Sequence, residues 1–193
     1  MLIVRNDVAR VESDLVAGLV ACPGGDGFLR PWGHGRARVL RGEDRETAFR
    51  PRRGRCGSCL VTQVLLPDRC LARRRDRVEV IGSALMSKVS GKGYRRIAKE
   101  IDVPAGTVRG WLRRIRDSAE RLRAHFTAWA YRLDPLQVPI GPTGSALGDV
   151  VEAIGMAARA ATLRFGPRPA WGWAAAMSGG WLLATRVDLW PAP

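Results

Sequence analysis

Residues 95–114 read RRIAKEIDVPAGTVRGWLRR. Two apolar-striped segments flank a short break, Asp102-Val103-Pro104, and the periodicity predicts a helix on each side of it. Pro104 suits an early helical position, because its missing N–H would have no partner there in any case. Ala98 is small where the second helix of the pair would pack. Val103, Val108, Trp111 and Leu112 fall inward, which leaves Ala105, Gly106, Thr107, Arg109, Gly110 and Arg113 outward. Upstream, Val78, Ile81, Leu85 and Val89 share one helical face, and Gly91-Lys92-Gly93 ends that element. Residues 76–133 therefore read as three helices.

The third helix is the longest expectation. Val108, Leu112, Ile115, Ala119, Leu122, Phe126, Trp129 and Leu133 alternate steps of four and three, a heptad stripe that runs to Asp134-Pro135. One continuous helix over 105–133 would be roughly 43 Å long at 1.5 Å per residue. Something must cover its outer half, either a second copy of the chain in a homodimer or residues 145–165. The latter carry an apolar face of Leu147, Val150, Val151, Ile154, Ala158, Ala161 and Phe165, ended by Gly166-Pro167. Intramolecular cover is favoured, because Ala119, Phe126 and Trp129 are irregular for a two-stranded seam.

Charge places a polyanion surface in the middle of the chain. The 193 residues carry a formal net charge of +14, of which residues 30–77 supply +9 and residues 94–123 supply +5. Of the 32 basic residues only Lys88, Lys92 and Lys99 are lysine. Arginine's planar fork matches phosphates and the guanine edge. A GC-rich genome also yields many arginines, yet that does not explain their clustering. Arg95, Arg96, Thr107, Arg109, Arg113 and Arg114 are the candidate DNA contacts of the helical region. Arg109 is best placed for a base edge, and Thr107 for a phosphate or a thymine methyl. Arg52 and Arg53, in the run Arg50 to Arg55, suit phosphates alone.

With Ile97-Ala98, Val103-Pro104, Thr107-Val108 and Trp111-Leu112-Arg113-Arg114 in these positions, the stretch resembles the helix-turn-helix region of bacterial transposases and related regulators. It departs at Asp102, where such motifs often carry glycine. The resemblance covers residues 20–133 and implies sequence-specific binding of double-stranded DNA.

The head of the chain is read separately. Residues 2–5 predict a short strand, and Asn6 is placed to cap a helix bearing Val8, Val11, Leu15 and Leu19 that ends at Cys22-Pro23-Gly24-Gly25; these form an N-terminal segment, residues 1–21. From Phe28 to Leu66, short β-rich runs between glycines and prolines predict small antiparallel strands. Within residues 22–70, Cys22-Pro23-Gly24-Gly25 and Cys56-Gly57-Ser58-Cys59 resemble the two knuckles of the zinc ribbon that precedes the helix-turn-helix in insertion-sequence transposases. The resemblance implies zinc on Cys22, Cys56 and Cys59, with Gly25 standing where the fourth cysteine would be. Asp26, His34 or Cys70 could complete the site, or the ribbon could be metal-free. The expected fold class is α+β, mainly α: a small β head, a three-helix module with a long third helix, and a C-terminal helical layer over 145–193.

Membrane and enzyme readings are set aside. Leu19 to Cys22 imitates a lipoprotein cleavage site, but Asp7, Glu12 and Asp14 lie where a signal peptide needs positive charge and an apolar run. The uncharged stretch from Ala170 to Thr185 is shorter than the roughly 20 residues of a spanning helix and is broken by Gly179-Gly180. It reads as buried helix, with Trp171, Trp173, Trp181 and Trp190 filling the layer. His125, beside Phe126, reads as a partly buried surface histidine. A transposase's acidic triad needs a further domain of well over a hundred residues, far longer than the segment after Leu133. The expectation is a cytoplasmic, non-enzymatic DNA-binding protein, a transcription regulator or a mobile-element accessory or remnant. The alternatives are a protein-interaction adaptor with unselective nucleic-acid binding, and a fragment of an active transposase.

Overall fold

In the computed structural model, which describes residues 1–42, 46–138, 141–185 and 190–191, a β head precedes a helical body. The chain begins with strand β1 (Leu2–Val4) and helix α1 (Val8–Ala17), followed by β2 (Leu29–His34), β3 (Arg38–Arg41), β4 (Glu46–Phe49), β5 (Arg52–Cys56) and β6 (Thr62–Pro67). One sheet has the order β1-β6-β5-β2; β1 runs parallel to β6 and the other pairs are antiparallel. β3 and β4 form a separate antiparallel ribbon. Helix α1 lies across the sheet, where Gly54 leaves room for Leu15 and Leu29 to meet over β5. The first segment thus shares one small core with the β region.

Two details of α1 differ from expectation. Its N-cap is Asp7, not Asn6: the Asp7 carboxylate accepts from the Arg10 N–H at 2.9 Å. The helix also stops at Gly18, in the left-handed conformation (φ 70°), rather than at the Cys22 turn. Leu19 then donates back to the Asp14 carbonyl at 2.8 Å. Glycine at position 18 is itself a stop signal, overridden in the reading because Leu19 keeps helical register; in the structure Leu19 is largely exposed.

The body comprises α2 (Val78–Val89), α3 (Tyr94–Glu100), α4 (Ala105–Asp117), α5 (Ala119–Leu133), α6 (Ala146–Phe165) and α7 (Ala170–Met177). Val78, Ile81, Leu85, Ile97, Val108, Trp111 and Ile115 join in one core with Leu122, Phe126, Val150, Ile154 and Trp173. Gly82 lets the Trp171 indole lie flat on α2, since a Cβ there would come within 2.2 Å of the ring. Three of the four tryptophans enter this layer: Trp173 is buried and Trp171 and Trp190 pack against the core, whereas Trp181 lies beside the Arg73 guanidinium instead. Among the described residues no helix is long and apolar enough to cross a membrane.

The long third helix is two helices. Ser118, with φ −116° and ψ 10°, ends α4 and begins α5, and it is buried at the junction. The stripe survives the break because its two halves face different partners: α4 packs on α2 and α3, while α5 makes its main contact along α6. Cover of the outer half is therefore intramolecular, with Val150, Ile154, Ala158 and Ala161 of α6 buried as anticipated.

The turn between α3 and α4 accounts for aspartate at position 102. Asp102 adopts φ 49°, the left-handed region that glycine enters freely and aspartate tolerates through its short polar side chain. Val103 then donates to the Ala98 carbonyl at 3.0 Å and buries its side chain. Asp102→Gly is expected to change stability by less than about 1 kcal/mol, whereas Asp102→Val should cost about 1–2 kcal/mol. Denaturant midpoints check the pair; equal values would contradict the backbone argument.

Candidate nucleic-acid interface and metal-binding cluster

Helix α4 is amphipathic by construction. Val108, Trp111 and Ile115 are buried on one side, and Gly106, Arg109, Arg113 and Arg116 are exposed on the other. Neither Arg109 nor Arg113 meets a carboxylate among the described residues, so both guanidiniums present their donors to solvent. Gly106 has nothing around the position a Cβ would take, which leaves the helix backbone approachable beside these arginines. Thr107 is half-buried on the opposite flank, as is Arg114, whose Nη1 donates to the Gly110 carbonyl at 3.3 Å.

The α3 arginines are arranged differently. Arg95 is exposed with its guanidinium 5.7 Å from the Tyr94 ring centroid. Arg96 pairs with Glu100 at 3.1 Å, and Lys92 reaches the same carboxylate at 2.7 Å. These hydrogen bonds hold the Glu100 carboxyl below its usual range.

Arg52 has an internal partner. Its Nε and Nη2 donate to the two Glu12 oxygens at 2.6 and 2.8 Å, and Nη1 donates to the Gly33 carbonyl at 2.6 Å. The two bonds to Glu12 bind α1 to the sheet and the third joins β5 to β2, so this fork is not open to a phosphate. Arg53, its neighbour, is half-buried and has no carboxylate partner among the described residues. Arg55 reaches over the Trp32 ring at 4.6 Å. The partner on α1, forty positions before Arg52, lay beyond any local pattern.

The three cysteines converge. Their sulfurs all lie within 4.8 Å of one another, with Cys22 Sγ 3.7 Å from Cys59 Sγ. A tetrahedral ion with metal–sulfur bonds of about 2.3 Å sets neighbouring sulfurs about 3.8 Å apart, so this edge has the length a metal would require. The Cys56-Gly57-Ser58-Cys59 turn aims amide donors at the first sulfur: Cys59 N–H donates to Cys56 Sγ at 3.5 Å. The Cys59 and Ser58 amides together bring the Cys56 thiol down to about 7. Cys22 moves the other way. The Gly24 amide favours its thiolate, but burial and the adjoining Cys59 and Cys56 sulfurs raise it. Gly27 lies so close that a Cβ there would meet Cys56 Sγ at 2.7 Å.

None of the three suggested fourth ligands joins this cluster. Cys70 is buried with Leu40 and Leu66 in a separate apolar pocket, where burial pushes its thiol up to about 12. His34 lines a different cavity beside Arg50 and Glu12, and Asp26, though adjacent in sequence, is not among the convergent groups. Gly25 itself has open space around it. No family model, no curated protein and no solved structure matches this chain. Its residues alone carry the functional reading.

His125 is half-buried, as expected. Its Nε2 lies 3.0 Å from the Met177 carbonyl, its ring meets Phe126 edge-on, and burial lowers its proton affinity.

Proposed function

We propose that this protein binds double-stranded DNA sequence-specifically, laying α4 in the major groove, and that it acts in the cytoplasm as a transcription regulator or a non-enzymatic accessory or remnant of a mobile element. The observation that carries the reading is the pairing on one helix of a buried Val108–Trp111–Ile115 face with Arg109 and Arg113, exposed and without a carboxylate partner among the described residues. A groove-reading helix needs such a face, braced here by α2 and α3. Arg109 reads a base edge, and Arg113, Arg95 and Arg53 contact phosphates. Arg96 and Thr107 are secondary contacts, and Arg52 holds the head together.

In this reading the three-cysteine cluster takes zinc. Cys22, Cys56 and Cys59 would hold it, and the ion would act as a structural staple for a head whose own core is only a handful of residues. A solvent ligand or a borrowed group completes the coordination at the side vacated by Gly25.

Selection of bound duplexes from a random pool tests the function. An enriched motif supports the regulator or element-end binder; the absence of any motif, with binding retained, favours the adaptor alternative. Arg109→Ala is expected to relax preference at one or two positions of that motif at a cost of about 1–3 kcal/mol. Equal losses on every sequence would contradict its role in base reading.

A further inference from the structure

We propose that Arg73, Arg74 and Arg114 form a binding pocket for a single phosphate group on the flank of α4. A cavity of about 200 Å³ lies between the loop that follows β6, the last turn of α4 and the segment after α7. Three guanidiniums from two distant parts of the chain line it, above a floor of buried Leu71 and Leu183.

Among the described residues Arg73 and Arg114 have no carboxylate partner, and Asp76, which attracts Arg74, pairs with Arg41 at 2.9 Å. Burial, and after it the charge of Arg114, weaken the hold of Arg74 on its proton against the pull of Asp76. An anion between Arg74 and Arg114 would offset the repulsion between them.

The surroundings hold the trio in place. Gly110 lets the Arg114 side chain lie along α4, where a Cβ would come within 3.2 Å of its Nη1. Arg73 adopts φ 57°, an unusual backbone for arginine, and its guanidinium lies 5.6 Å from the Trp181 ring centroid. Ala72 donates to the Gly180 carbonyl at 2.8 Å, tying the loop to the opposite wall. Convergent forks of this kind match the tetrahedral oxygens of a phosphate better than a spherical anion.

The phosphate could belong to a duplex backbone or to a free phosphorylated molecule. The first source rests on the proposed DNA binding; the second does not. The test titrates inorganic phosphate into the full-length protein at constant ionic strength and follows the Arg74 Nε–H resonance by NMR, assigned by its loss in Arg74→Gln. A saturable shift is expected, weakened about tenfold or more by Arg114→Gln and untouched by Arg109→Gln. A duplex that displaces phosphate, with a salt slope reduced by about one in Arg114→Gln, identifies a backbone phosphate. Saturable phosphate binding that no duplex displaces assigns the pocket to a free ligand, and leaves the DNA reading to the duplex selection that tests it. A shift that never saturates, or that chloride reproduces at matched ionic strength, overturns the proposal.

Discussion

Trp111→Ala is expected to destabilise the protein by about 3–5 kcal/mol, the range for deleting a large aromatic from a packed core. The indole is almost fully buried and lies in the same cluster as Ile81, Ile97 and Val108, so it fixes how α4 sits against α2 and α3. Such a loss is a large fraction of an ordinary domain's stability. Chemical denaturation measures it. DNA affinity should fall with the folded fraction rather than at selected base pairs, because Trp111 acts on the position of α4 and not on the DNA itself. A loss below about 1 kcal/mol would mean that α4 is not held as described.

The second large effect concerns the cysteine cluster. Gly25→Cys is expected to convert the three-thiolate site into a four-thiolate one and to tighten zinc by about 2–4 kcal/mol, roughly thirtyfold to a thousandfold. That gain is about a quarter of the apparent free energy of complete structural sites. Nothing obstructs the new side chain: a Cβ at Gly25 meets no atom within 4 Å, and the backbone there is in a conformation ordinary residues adopt. Cys56→Ser should do the reverse, removing the sulfur that receives the Cys59 and Ser58 amides. Metal content after challenge with a graded chelator checks both. Zinc retained by Cys56→Ser, or no gain in Gly25→Cys, would remove the cluster from consideration as a metal centre.

How much of the fold is legible in the sequence depends on the range of the interactions involved. The helices at 78–89 and 94–100, and the start of the next at Ala105, were legible because each is bounded by a local signal: glycines after Val89, and Asp102-Val103-Pro104 before Ala105. The break at Ser118 was not. Serine is tolerated inside a helix, and Ile115, Ala119 and Leu122 keep their spacing across it; only the different partners of α4 and α5 force the bend.

The basic runs show the same limit. Arg52 and Arg53 looked equivalent, yet Glu12 claims one of them. Arg73 and Arg74 belong to a basic run suited to phosphates wherever it lies, and their meeting with Arg114 depends on how the loop packs against α4. The three cysteines, by contrast, were legible as a set, because a turn of two intervening residues fixes Cys56 and Cys59 together before any tertiary contact forms.

Strand β1 ties one edge of the sheet to the segment after α7. Leu2 and Ile3 pair with Leu65 and Leu66, and the Ile3 side chain rests against Gly180. Whenever β1 peels away, the rim of β6 that receives it is bare, and its backbone donors and acceptors are open to any passing strand. Self-association of the protein should therefore rise with any change that loosens the hold of Gly180 on Ile3.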